Sequence, residues 1–165
     1  MIAERMQRQG VVKPRCGRSI SLGLVADDRA VRSVLRQVRR WMAACAAPPD
    51  LTGRTELVLA EAMNNITEHG YHEGEQGRIA IQCTFTAAGL RVVLTDSGRA
   101  VPLPLLQGSA GSPVTGCDMS TEALPEGGFG WFLIHELTCD LTGHRMGGIN
   151  RLCFLVPFYG TGRAR

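Results

Sequence analysis

Between residues 79 and 94 the chain alternates, and this alternation limits its fold more than any other feature. Ile79, Ile81, Cys83 and Phe85 are separated by polar or small residues, Ala87 to Gly89 supplies a turn, and Leu90, Val92 and Leu94 follow. A period of two in two runs joined by a short turn predicts a β-hairpin. The same logic predicts two further strands from Leu141 to Met146 and from Ile149 to Phe158, joined at Gly147-Gly148, with Leu152, Phe154, Val156 and Phe158 sharing a face. A fifth strand is predicted over Arg18 to Val25, where Ile20, Leu22 and Leu24 alternate with Ser19, Ser21 and Gly23.

The remaining periodic segments are helical. Asp27 and Asp28 stand where a helix start favours acids. Val31, Val34, Leu35, Val38, Trp41, Met42 and Cys45 then recur at helical spacing, with Arg29, Arg32, Arg36, Arg39 and Arg40 opposite. Pro48 and Pro49 stop that helix. Thr52 is expected to cap the next one, which runs to about His69 and ends at Gly70. A short third helix opens at Gly127 to Gly130 and reaches about Cys139. The order strand, helix, helix, hairpin, long loop, helix, hairpin predicts an α/β two-layer sandwich. Its sheet is expected to be mixed and mostly antiparallel, with helices packed on one face. It does not alternate regularly enough for a doubly wound fold.

At 165 residues and 44% hydrophobic, the chain suits one domain, expected over 18–160 after a flexible basic arm over 1–17. Residues 99–126 carry Pro102, Pro104, Pro113 and Pro125 with several glycines. A loop of that length reads either as a functional lid or as a plain insertion. The formal charge of +3 is mild and aromatics are only 5%, which argues against direct nucleic-acid binding. The arginine face of the first helix reads as solvated, with a nucleic-acid stripe as its alternative. No run of 18 apolar residues spans a membrane. The cysteines Cys16, Cys45, Cys83, Cys117, Cys139 and Cys153 form no CxxC pair, and the polar N-terminus has no leader-like core. They are expected to be buried free thiols in a reduced, cytoplasmic protein.

Three segments can carry chemistry. On the second helix Glu61, Asn65 and His69 are spaced i, i+4, i+8 and share a stripe. An amide oxygen can hold Mg²⁺ without adding charge, and a carboxylate one turn away can deprotonate a nucleophile. Alone, the stripe reads as a polar outer face. Asp96-Ser97-Gly98 puts an acid and a glycine at a strand end, where the acid can accept from an exocyclic amine and the glycine admits a flat ring. Alone, it is an ordinary turn. Gly127-Gly128-Phe129-Gly130 enters a helix and exposes backbone N–H groups to an anion. It matches neither a Walker A loop nor GxGxxG. His69-x-x-His72 near Glu73 is a weak metal candidate.

In this order and spacing the segments resemble the N, G1 and G2 boxes of the GHKL ATPase/kinase superfamily, and specifically its bacterial anti-sigma-factor serine/threonine kinase branch. The resemblance rests on Glu56-Leu-Val-Leu-Ala-Glu61-Ala-Met-Asn-Asn65-Ile-Thr-Glu-His69, on Asp96-Ser-Gly98-Arg-Ala-Val-Pro102, on Gly127-Gly-Phe-Gly130-Trp and on Gly147-Gly-Ile-Asn150-Arg-Leu152. It covers about residues 18–158. It implies the Bergerat fold and an ATP site formed by Asn65, Asp96, Gly98, Gly127, Gly128, Phe129 and Gly130. Within that site, the resemblance makes Asn65 the Mg²⁺ ligand and Asp96 the adenine-recognising acid. It implies that Glu61 is the catalytic carboxylate, activating a Ser or Thr hydroxyl of an anti-sigma-factor antagonist. A sigma factor or similar regulator would be a further partner, and because the family often dimerises, the resemblance also implies a homodimer. Ala100 stands where the broader superfamily often has a second glycine, as is common in the anti-sigma branch. The alternative implied activity is an ATP-binding module that sequesters a regulator without phosphorylating anything.

Overall fold

Strong alternation produced strands where it was strongest. β1 (Ser19–Val25), β2 (Arg78–Phe85), β3 (Gly89–Asp96), β4 (Cys139–Met146) and β5 (Ile149–Pro157) form one five-stranded sheet in the order β1-β2-β3-β5-β4. The computed structural model describes residues 14–15, 17–72, 75–107 and 128–158. Most of the N-terminal arm, Gly127 and residues 108–126 of the expected lid lie outside the described residues, as do Cys16, Glu73 and Cys117.

All four strand pairings are antiparallel, which corrects the expectation of a mixed sheet. The reason is topological. The long connection after β3 returns the chain at the outer position, so β4 runs in the direction of β3, but the β4–β5 hairpin inserts β5 between them. That hairpin turns at Gly147 and Gly148, with φ of +58° and +81°, a left-handed pair that glycine adopts without strain.

One face of the sheet is covered by α1 (Asp28–Ala44), α2 (Pro49–His69) and α4 (Gly128–Leu137), with the single turn α3 (Leu103–Leu106) beside β4. Ile79, Ile81, Cys83 and Phe85 of β2, Leu90, Val92 and Leu94 of β3, and Leu152, Phe154 and Val156 of β5 are all buried on this side. Val31, Val34, Val38 and Met42 of α1 and Val58, Leu59, Ala62, Met63 and Ile66 of α2 complete the core. Trp41 stacks on Phe85 with centroids 4.9 Å apart, fastening α1 to the sheet by about 1 kcal/mol beyond simple burial. The five arginines on the opposite side of α1 are exposed. An ion pair such as Arg39–Glu56 at 3.8 Å contributes little there.

Local chemistry sets the helix ends. Asp27 caps α1, its Oδ1 accepting from the Ala30 N–H at 2.8 Å. Thr52 is not the cap of α2. The helix begins three residues earlier with Pro49 in its first position, where a missing N–H costs nothing, and the Thr52 hydroxyl donates back to the Pro48 carbonyl at 3.1 Å. Arg54 is buried, bonding Asp50 at 3.0 Å and the Pro157 carbonyl at 2.8 Å, so it ties α2 to β5. Among the described cysteines, Cys45 and Cys83 are buried free thiols, and burial pushes the Cys83 thiol up to about 12. Cys139 is exposed, contrary to expectation, because β4 is the outer strand. No helix among the described residues is long and apolar enough to cross a membrane.

Candidate nucleotide site

The apolar face of the sheet turns polar at one end. In β3 the buried series Leu90, Val92, Leu94 continues to Asp96, and in β5 the series Val156, Phe154, Leu152 continues to Asn150. Asp96 and Asn150 are register partners, 6% and 5% exposed. A buried carboxylate and amide need hydrogen-bond partners, and here they partner each other. Asp96 Oδ1 accepts from Asn150 Nδ2 and from the Gly98 N–H, both at 2.8 Å. No donor among the described residues reaches Asp96 Oδ2.

Above this end lies a cavity of about 430 Å³ between α2, α3, α4 and the β3, β4 and β5 ends. That size is in the range of small-molecule sites. Asn65, Ile66 and Asp96 line it together with Val101, Leu105 and Trp131. The predicted Asn65 and Asp96 therefore line one cavity, although they are far apart in sequence and sit on different layers.

Gly98 lies directly beneath Asp96. A Cβ there would stand 2.7 Å from the Gly70 carbonyl oxygen and 3.0 Å from Asp96 Oδ1. The G1 segment is thus pressed against the C-terminal end of α2, and the Arg99 N–H donates to the same Gly70 carbonyl at 2.7 Å. His72 is engaged by the Arg99 guanidinium at 2.6 Å.

Beside the cavity α2 meets α4: Asn65 and Trp131 line it, whereas Glu61 and Gly130 lie next to those residues and outside its lining. Asn65 Nδ2 donates to the Glu61 backbone carbonyl at 2.8 Å, which leaves its Oδ1 as an acceptor with no protein donor among the described residues. Glu61 is half-buried, and its side chain packs against the backbone of Gly130: a Cβ at 130 would stand 2.5 Å from Glu61 Oε2 and 3.4 Å from Asn65 Nδ2. Glycine at 130 is what lets the first turn of α4 approach both residues. Gly128 opens α4, and Phe129 is 67% exposed, its ring 6.0 Å from that of Phe132. Of the stripe predicted on α2, His69 lies at its exposed end, lines the cavity with Asn65, and stands 3.9 Å from the exposed Glu68.

These groups fit Mg-ATP. A free amide oxygen suits a hard cation that also takes phosphate and water ligands. A free carboxylate oxygen in the wall suits an exocyclic amine. The N-terminal turn of α4 lies beside the amide, where a helix N-terminus favours phosphate.

Sequence reasoning missed Arg145 and gave Asn150 no role of its own. The Arg145 guanidinium donates to the Gly98 carbonyl at 2.6 Å and to Asn150 Oδ1 at 2.5 Å. The available signal was the hairpin itself, since a two-residue turn at Gly147-Gly148 sets Arg145 opposite Asn150.

A family model described as the histidine kinase-like ATPase domain matches residues 24–155. Two curated relatives named Serine-protein kinase RsbW are similar. The one from Oceanobacillus iheyensis is 28% identical over 94 residues, 57% of this chain and 58% of the relative. The one from Halalkalibacterium halodurans is 30% identical over 82 residues, 50% of this chain and 48% of the relative. The match spans about half the length of each relative. Among solved structures, the RsbU and RsbW domains of Rv1364c from Mycobacterium tuberculosis align with a TM-score of 0.55 at 18% identity, over 85% of this chain and 33% of that one, a likeness of fold. By matched span, sheet and cavity, the chain belongs to the histidine kinase-like ATPase domain family.

Proposed function

We propose that the protein is an ATP-dependent protein serine/threonine kinase acting as an anti-sigma regulatory factor, and that it phosphorylates an anti-sigma-factor antagonist. The observation that carries this reading is the placement of Glu61: its carboxylate packs against the first turn of α4, one helical turn from the open amide oxygen of Asn65. On this reading Glu61 is the proton acceptor for a hydroxyl that attacks a phosphoryl group held by that turn. The similarity to proteins named as serine-protein kinases supports the same assignment.

When bound, Mg-ATP supplies the phosphoryl group and the charge neutralisation that in-line transfer requires. The chain's own residues supply position. Asp96 Oδ2 would accept from the base. Asn65 Oδ1 would hold the Mg²⁺. Backbone N–H groups in the first turn of α4, at Gly128, Phe129 and Gly130, with Gly127 before them in sequence, would hold the phosphates. Glu61 would take the proton of the incoming Ser or Thr hydroxyl as its oxygen bonds to the γ-phosphorus and the bond from that phosphorus to the ADP oxygen breaks, ADP leaving.

The test is transfer of label from radiolabelled ATP with Mg²⁺ to candidate antagonist domains, beside a Glu61→Ala control. Labelling of a Ser or Thr that disappears in the control is the expected result. Tight ATP binding with no labelling of any antagonist would replace this reading by that of an ATP-binding, regulator-sequestering module. Absence of adenine-nucleotide binding would remove both.

A further inference from the structure

The polar cluster beneath the cavity contains more hydrogen bonds than a carboxylate needs for burial. Asn150 Nδ2 has two hydrogens and three acceptors: Asp96 Oδ1 at 2.8 Å, the Gly98 carbonyl at 3.1 Å and the Arg99 carbonyl at 2.7 Å. On its other side Asn150 Oδ1 faces the Arg145 guanidinium, which also holds the Gly98 carbonyl. The amide orientation follows from these partners. Turned over, its oxygen would face a carboxylate and two carbonyls, and its NH₂ would face a guanidinium.

We propose that Arg145 and Asn150 are specificity-determining positioning residues, which set Asp96 so that the site selects a purine bearing a 6-amino group. This rests on the ATP-binding reading above. Asn150 and the Gly98 N–H together occupy Oδ1, so Oδ2 is the acceptor left for a ligand. With the carboxylate held from one side by two donors, Oδ2 is kept in one place. An amino group there gains a charge-assisted hydrogen bond. A 6-oxo group would set oxygen against oxygen, and an unsubstituted C6 would leave Oδ2 without a donor. Arg145 acts through Asn150. It fixes the amide orientation and, through the Gly98 carbonyl, the backbone that supplies the second donor.

Without this clamp the carboxylate turns about its Cβ–Cγ bond and Oδ1 becomes available to water. The site then loses its preorganised acceptor before it loses its shape. A merely structural role makes a different prediction: weaker binding of every nucleotide by one common factor.

The experiment is a binding titration of the whole chain with ATP, purine riboside 5′-triphosphate and GTP, alongside a melting curve for each variant. The wild type is expected to prefer ATP over purine riboside triphosphate by about tenfold or more. Asn150→Ala should reduce that preference to about threefold or less, Arg145→Ala should also reduce it, and Arg145→Lys, which keeps one donor, should fall between. Arg145 is exposed enough for its variants to decide the matter should Asn150→Ala fail to fold. Uniform weakening with an unchanged preference would overturn the proposal, as would a wild type that does not distinguish the two triphosphates. A wild type that binds none of the three would instead remove the ATP reading itself, and this inference with it.

Discussion

The Asp96 wall of the cavity and the α2–α4 contact beside it are built differently. At the Asp96 end, the carboxylate, Asn150, Gly98 and Arg145 form a closed, largely buried network in which one oxygen is left over. At the Glu61 end hydrogen bonding among the described residues is sparse: one bond orients Asn65, and Glu61 is set mainly by its packing on Gly130. Recognition of a flat, neutral base gains from an acceptor already in place, whereas phosphate, metal and an incoming hydroxyl bring their own charges and partners. On the proposed reading, the reacting side is loosely bonded and the recognising side is firm.

The comparison breaks most sharply at Glu61. Glu61→Gln keeps shape and removes the proposed proton acceptor. Transfer to the antagonist should fall by about 10²–10⁴-fold in single-turnover assays while ATP affinity changes by less than about threefold. A parallel loss of affinity would mean that Glu61 belongs to the binding end instead.

Gly98→Ala should act through the fold as well as the site. Its Cβ meets the Gly70 backbone oxygen at 2.7 Å, and backbone cannot swing away. A cost of about 1–3 kcal/mol is expected, visible as a melting temperature lower by several degrees, with ATP affinity falling in step.

Gly130→Ala is the opposite case. Its Cβ meets the far end of a flexible side chain, Glu61 Oε2 at 2.5 Å, which can move at little cost. Alanine also favours a helix over glycine by about 0.5–1 kcal/mol. The melting temperature should hold or rise, while displacement of the carboxylate lowers transfer by about tenfold or more. A cooperative loss of stability in the melting curve would show that the Glu61 end is as rigid as the Asp96 end.

The smallest effect is expected away from both ends. Asp27→Ala removes the α1 cap at a cost of about 1 kcal/mol in denaturant unfolding and leaves nucleotide affinity and transfer unchanged.

Much of this architecture was legible in the chain because its signals are local. The 79–94 alternation, the Gly147-Gly148 turn and the apolar spacing of α1 and α2 each depend on neighbours within a few residues. The errors were local as well. Thr52 has cap chemistry, but Pro49 in the first helical position started α2 earlier. Cys139 has a core residue type, but its strand became the edge. The site was legible as three separate segments, each with an ordinary explanation, and only their order suggested a single pocket.

By itself, then, the sequence determined the elements, the polar stripe of Glu61 and Asn65, and the acid at the end of a strand, since period and residue type act over short range. Tertiary structure alone decided that β5 inserts beside β3, and so that Asn150 faces Asp96 from 54 positions away. It alone brought Gly130 against Glu61. The physical reason is that a strand's hydrogen-bonding partner and a helix's packing partner are chosen by the burial of whole faces, and no short stretch of chain contains that choice.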